Sequence, residues 1–263
     1  MYKKVIVHFV FVFFCSFFIT IGFYQLIEKV KCRTIPRDVL LSEEFRAQRL
    51  NNEMCDQLQG KTKVGTVVGE YLLQSIWEYR SWQKDDAWTE YQKYIDAIWN
   101  DVKFFPVPEY PGQSGMGVSY VDTWMAERTY GGKRGHEGTD IMAEKNQRGL
   151  YPIISMTDGT VTNMGWLEKG GYRIGITAPS GAYFYYAHLD SYSHIEIGDQ
   201  VKAGDVLGFM GDSGYGKEGT VGQFAVHLHL GIYIYLDGKE MSVNPYWVLR
   251  YIENKRVKCY TRV

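Results

Sequence analysis

The chain has 263 residues, 45% hydrophobic and 22% charged, which is too apolar for a disordered chain and sufficient for one sizeable core plus a smaller attachment. Twenty-nine Lys and Arg against 30 Asp and Glu give a formal net charge of -1, so the basic footprint of nucleic-acid binding is missing and no nucleic-acid partner is expected. Cys15, Cys32, Cys55 and Cys259 are scattered without C-x-x-C spacing; neither a disulfide scaffold nor a thiolate zinc site is indicated, and any metal here must use His and carboxylate.

In chain order, residues 1–30 come first as a tip and anchor. Val5 to Tyr24 reads VIVHFVFVFFCSFFITIGFY, twenty residues without a formal charge at neutral His. At about 1.5 Å per residue such a helix spans roughly 30 Å of hydrocarbon, so a transmembrane helix is predicted. A secretory signal would have a shorter apolar region and a small-x-small cleavage site, and none is legible around Ile21 to Leu26. The expectation is an uncleaved single-pass membrane anchor. Lys3 and Lys4 precede it and Lys29, Lys31, Arg33 and Arg37 follow it, so the flanking charges leave its orientation open.

Residues 31–110 form a small α-helical stalk or cap. Leu41, Phe45, Leu50, Met54 and Leu58 recur at helical spacing, as do Trp88, Tyr91, Ile95, Ile98, Trp99 and Val102, with Asp86 as the N-cap of the second set. The aromatic stripe of the second set reads as core between neighbouring helices. FPVPEYPG then breaks the helix, and a boundary falls between Pro106 and Gly117.

Only four of the 28 glycines lie before residue 111, and the remainder of the chain, 111–263, changes grammar. YPIISM, GTVTNM, YRIGITA, AYFYYAHL, DVLGFMG and FAVHLHLGIYIYL are short strand-like runs punctuated by D-G, S-G and G-G turns. A mainly β domain, sandwich or open sheet, is predicted, with loops at one rim long enough to carry a site.

Five of the six histidines lie between 136 and 229. In RGHEGTD, His136 and Asp140 are four apart, and Gly135 and Gly138 argue for a turn running into a strand from which both residues reach one point. In VHLHL, His227 and His229 are i and i+2 on an apolar strand, so the pleat aims both imidazoles at one locus. Chance supplies about 0.3 H-x-x-x-D and about 0.1 H-x-H matches in a chain of this composition, so the two motifs are informative together. Burying two imidazoles on one strand face without a metal or partners would cost several kcal/mol. His188, in YYAHL, ends another strand and closes the cluster, whereas His194 reads as a loop residue. Zn2+ suits such a set: it takes imidazole and carboxylate, a catalytic site uses three protein ligands, and the surplus histidines stand ready as bases.

RGHEGTD, YYAHL, GDxVxxGDVLGFMGDSG and VHLHLG, in that order between about Val118 and Tyr251, resemble the LytM/lysostaphin-type zinc metallopeptidases that cut peptidoglycan peptides. The resemblance implies an antiparallel sheet with the site in a groove beneath loops. It implies His136, Asp140 and His229 as zinc ligands and His188 and His227 as the catalytic pair. All five positions are filled, which favours catalysis. Tyr130, six residues before His136, resembles a tyrosine that steadies the tetrahedral oxyanion in some relatives, with Tyr172, Tyr185 and Tyr186 as competitors. Gly211, Gly214 and Gly216 shape a loop on the groove wall or serve as plain turn residues.

The expectation is therefore a membrane-anchored zinc endopeptidase acting on bacterial peptidoglycan, in stem peptides or cross-bridges. Because that polymer lies outside the cytoplasmic membrane, the catalytic domain is expected on the extracytoplasmic side. No wall-binding module is recognisable after NPYWVLRY, so targeting falls to the anchor and the helical region. The alternative is a noncatalytic scaffold that binds peptidoglycan or a partner in a division or sporulation complex. A zinc hydrolase of the metallo-β-lactamase type is disfavoured, since His229 is followed by Leu230 and Gly231 rather than by the H-x-H-x-D-H pattern.

Overall fold

A computed structural model describes residues 16–22, 40–76 and 86–260 of the chain. Most of the predicted membrane span, Val5 to Tyr24, lies outside the described residues; 16–22 are helical and exposed. Among the described residues no helix is long and apolar enough to cross a membrane.

The first helical set is two short helices rather than one. In α1 (Glu43–Ala47), Ser42 accepts from the Phe45 amide at 3.1 Å, and Glu43 and Glu44 sit in the first turn, where the helix dipole favours negative charge. Gln48 then turns left-handed, at φ 47°, and ends the helix. Asn51 caps α2 (Asn52–Gln57) by accepting from the Met54 amide at 2.7 Å. Two caps within ten residues override an apolar spacing that alone fits one continuous helix.

α3 (Val64–Ile76) carries a buried stripe of Val64, Val68 and Leu72. Gly65 and Gly69 lie against Asp96 and Gln92 of α4 (Asp86–Trp99) so closely that a Cβ on either would displace its neighbour. On α4, Trp88, Tyr91, Ile95, Ile98 and Trp99 are buried, as their spacing requires. The last helix, α5 (Tyr246–Ile252), follows Pro245 and packs against α2.

Twelve strands fill the region between. The strands that matter for the site are β4 (Thr139–Ala143), β6 (Gly159–Leu167), β7 (Gly171–Thr177), β8 (Tyr183–Tyr192) and β11 (His227–Leu236), and the others of their sheet are β1 (Val118–Tyr120), β5 (Pro152–Ile154), β9 (Gln200–Val201), β10 (Val206–Met210) and β12 (Lys239–Val243). This one antiparallel sheet of ten runs β1-β4-β11-β8-β7-β6-β9, with β10 joining β5 and β8 and β12 extending from β11. A separate hairpin pairs β2 (Glu127–Arg128) with β3 (Arg134–Gly135). Each apolar run singled out in the sequence contains one of the sheet strands; β8 and β11 are buried on both faces along most of their length and so read as near-continuous apolar runs.

The core is continuous between the helices and the sheet, with Phe45 and Trp99 in the same buried cluster as Phe105, Ile141, Phe184 and Leu230. Burying each such side chain contributes about 1.5–3 kcal/mol. α4 packs on β11 and α1 on β12 (Lys239–Val243). Gln48, fully buried, joins the layers by accepting from the Trp99 indole at 2.8 Å and donating to the Phe45 carbonyl at 2.6 Å.

Candidate metal centre and active site

β11 pairs with β4 so that His229 stands opposite Asp140 and His227 opposite Met142. Side chains directly opposite in an antiparallel pair share a face, so this register delivers both halves of the expected metal site to one side of the sheet. His136 arrives from the turn after β3, anchored by its amide to the Ala126 carbonyl at 2.9 Å and by its carbonyl to the Met125 amide at 2.7 Å. The turn crosses β11 at Gly138, where a Cβ would collide with the Leu230 carbonyl and the His229 ring. The glycine of H-E-G-T-D is therefore a close-approach residue, and it lets the motif lie flat against the second metal-binding strand.

His136 Nε2 lies 3.0 Å from Asp140 Oδ1 and 2.9 Å from His229 Nδ1, and that nitrogen is 3.0 Å from the same carboxylate oxygen. The chemistry of these three atoms identifies what belongs between them. His136 Nδ1 faces the Thr123 carbonyl at 3.1 Å; a carbonyl only accepts, so the proton sits on Nδ1 and Nε2 presents a lone pair. A bare imidazole nitrogen and a carboxylate oxygen 3.0 Å apart repel unless a cation lies between them. Ligands of a tetrahedral Zn2+ at about 2.0–2.1 Å stand about 3.3 Å from one another, close to the spacing here, and two His with one Asp is a zinc donor set. The site fits Zn2+.

His188 reaches the cluster by a route strict alternation forbids. Tyr183 and Tyr185 of β8 line the groove and Ala187, opposite His229, continues their face, so by alternation His188 should point into the core. Between Ile174↔Tyr186 and Tyr172↔Leu189 the register shifts, leaving an extra residue in β8. His188 takes φ 62° there, a bulge that turns its ring back to the groove. Its Nδ1 donates to the Ser213 carbonyl at 2.7 Å, and His227 Nδ1 donates to Ala225 at 2.7 Å. Both Nε2 atoms are thereby left as lone pairs. The two rings are 4.8 Å apart between centroids, and His227 Nε2 is 3.7 Å from Asp140 Oδ1. Gly214, at φ 126°, presses against the backbone of Lys169 and Gly171 and against His188 Nδ1, so the 211–216 segment forms the wall behind that base. His194 lies in the loop after β8, away from the groove lining.

Burial by itself would raise the Asp140 pKa, but the imidazoles of His136 and His229 set against its carboxylate hold it far below the carboxylate range. Asp140 is thus an anion at any working pH. Burial pushes the His188 pKa well below 6.5, aided by His227 and His229, which keeps it neutral and able to accept a proton.

The groove over these residues has a volume of about 450 Å³. Tyr130 does not line it: it stacks on Tyr215, planes 2° apart and centroids 4.1 Å apart, and Tyr215 is the one that lines the groove and meets His188 edge-on. Of its competitors, Tyr185 lines the groove with its ring 6.0 Å from His229, Tyr186 is buried and bonds the Met156 amide, and Tyr172 packs on Trp166 and Tyr192.

Three contributors carry no signal in the sequence. Thr123 approaches His136 Nδ1 with its hydroxyl as well as its carbonyl, Arg128 donates to Asp140 Oδ2 at 3.0 Å, and Phe224 meets the rings of His188 and His227 edge-on at 4.6 and 5.0 Å. Thr123 and Arg128 lie outside any motif and are brought in by the hairpin and the loops, while Phe224 heads the run FAVHLHLGIYIYL without marking itself as a neighbour of the histidines.

The sequence profile of peptidase family M23 matches residues 134–245, and that span holds all five residues of the cluster. A crystal structure from Ruminococcus gnavus ATCC 29149, described as a candidate glycyl-glycine endopeptidase LytM, is 54% identical, with a TM-score of 0.78 over 85% of this chain and 96% of that one. This chain belongs to peptidase family M23. Among characterised relatives, the L-Ala–D-Glu endopeptidase of Bacillus subtilis is 45% identical over 133 residues, 50% of this chain and 40% of that protein. The glycyl-glycine endopeptidase ALE-1 of Staphylococcus capitis is 30% identical over 44% of this chain and 31% of its own length. The M23 chain thus spans well under half the length of these two relatives.

Proposed function

We propose that this M23 chain is a zinc endopeptidase that hydrolyses peptide bonds of bacterial peptidoglycan, held to the membrane by its N-terminal apolar segment with the catalytic domain outside. One observation carries the catalytic part. Three ligand atoms converge, and beside them two further histidines, each with Nδ1 committed to a backbone carbonyl, turn basic Nε2 atoms into the same groove. A purely structural zinc site has no use for two spare bases.

Zn2+, when bound, supplies a Lewis acid that polarises the scissile carbonyl and acidifies water. His136, Asp140 and His229 hold it. His188 and His227 do the proton work: one Nε2 accepts the proton of the attacking water, and the proton is returned to the departing amine as the peptide bond breaks. The carbonyls of Ser213 and Ala225 fix both tautomers for this role. Phe224 shields the pair from one side.

Peptidoglycan as substrate rests on family membership and on the B. subtilis and S. capitis relatives named for peptide-bond cleavage. The anchor rests on the uncharged run Val5 to Tyr24. Incubation of the zinc-loaded protein with purified peptidoglycan, followed by mass spectrometry of the released muropeptides, tests the activity. Cleavage that stops on chelation and returns with zinc supports it, and intact polymer under all conditions leaves the scaffold reading in its place. Membrane fractionation, with protease access from the outer face, tests the anchor.

A further inference from the structure

We infer that Arg173 and Arg134 form a carboxylate-binding subsite in the groove, so that the enzyme selects anionic stem peptides over neutral glycine bridges. The inference rests on the endopeptidase reading above and names its substrate class.

Four basic side chains line the groove: Arg128, Arg134, Lys169 and Arg173. Arg128 is committed to Asp140. Among the described residues, no ion pair within 4.0 Å joins the other three to a carboxylate. Arg173 Nη1 and Arg134 Nε are moreover buried with no hydrogen-bond partner. Buried guanidinium donors ordinarily find acceptors; these two atoms are closed to solvent, so a ligand in the groove meets the other guanidinium nitrogens of the two lining residues, and a guanidinium is matched by a carboxylate. Arg134 retains only a contact at 3.5 Å to the Gly135 carbonyl.

The sheet places Arg173 at a useful distance from the chemistry. β7 is separated from β11 by β8 alone, two strand spacings or about 10 Å. An extended peptide covers about 3.3–3.6 Å per residue, so the carboxylate would belong to a residue one to three positions from the cleaved bond. The floor between is phenolic: Tyr183, Tyr185 and Tyr233 line it, and burial raises all three, which keeps them uncharged. The acidic members of the lining besides Asp140 are Glu137 and Glu240, and Glu240 accepts from Tyr235 at 2.7 Å. A glycine bridge offers these arginines no anion, whereas a stem peptide with a free glutamate carboxylate does.

The test uses the full zinc-loaded protein and two synthetic stem peptides that differ only in having the D-Glu free carboxylate intact or converted to carboxamide. Affinity is read by calorimetry and cleavage by kcat/KM. The wild type is expected to favour the acid by about 10- to 100-fold, mostly in KM, as a charged hydrogen bond allows. In Arg173→Gln that preference should collapse toward one, Arg134→Gln should lower it, and Arg173→Lys should restore part of it, with zinc content and melting temperature monitored throughout. Equal affinity of the wild type for acid and amide, or an undiminished preference in folded Arg173→Gln, overturns the subsite and leaves the endopeptidase reading standing. Binding of the acid in preference to the amide without cleavage of either supports the subsite and sinks the endopeptidase reading. Should Arg173→Gln not fold, the wild-type ratio and Arg134→Gln decide alone.

Discussion

His136 Nε2 and His229 Nδ1 lie 2.9 Å apart although 93 residues separate them in the chain. Neither strand pairing nor local turn geometry requires these two nitrogens to converge on Asp140 Oδ1; a shared cation accounts for the convergence. His136→Ala and His229→Ala should each reduce bound zinc from about one per chain to near zero by elemental analysis, because two remaining ligands do not hold the ion. Full zinc occupancy in either variant would remove these residues from the metal site.

His188→Ala and His227→Ala should behave differently. Neither removes a ligand, so zinc stays bound while the cleavage rate falls by about 10²–10⁴-fold, the scale of a lost acid–base group. The pair of measurements, metal content beside turnover, separates the two classes of histidine. A variant of His227 that loses zinc as well would make that residue a ligand instead of a base.

Arg128 holds the second oxygen of Asp140 and so leaves Oδ1 alone for the metal. Arg128→Ala frees the carboxylate to rotate and leaves it without its orienting partner. Zinc affinity measured by competition with a chelator should weaken about 10- to 100-fold, as for other groups that orient metal ligands. Unchanged affinity would reduce the ion pair to a surface contact.

The burial of His188 fixes the sign of the pH dependence. Its pKa is depressed below 6.5 chiefly by burial, so the neutral, proton-accepting form persists on the acid side of the ordinary histidine range. Its stabilising contribution is complete above the unfolded value of 6.5 and is lost as pH falls toward the folded value. The acid limb of kcat/KM should accordingly lie below pH 6.5, and a limb centred above 6.5 is incompatible with His188 as the base.

Gln48 tests the joint between helices and sheet. Gln48→Ala leaves the Trp99 indole N–H buried without an acceptor, at a cost of about 1–3 kcal/mol in addition to the lost packing. Chemical denaturation should show the loss while metal content at low denaturant is retained. A variant as stable as the wild type would mean that water reaches Trp99.

The sequence alone determined the strands of the β domain, since strands buried on both faces read as short apolar runs between turns, and it determined the five polar side chains of the cluster, four through two spaced motifs and His188 through YYAHL. Helical spacing did not mark the break within Leu41 to Leu58, where the caps Ser42 and Asn51 and the left-handed Gln48 divide the helical set in two. It did not reveal α3, because Gly65 and Gly69 dilute its apolar stripe and make sense only against α4. Tertiary structure decided the rest. The register that sets His229 against Asp140, the bulge that turns His188 to the groove, and the arrival of Thr123 and Arg128 depend on pairings between segments distant in sequence. Periodicity reports which face a residue occupies within its own strand; it carries no information on which strand lies alongside or where an extra residue reverses that face.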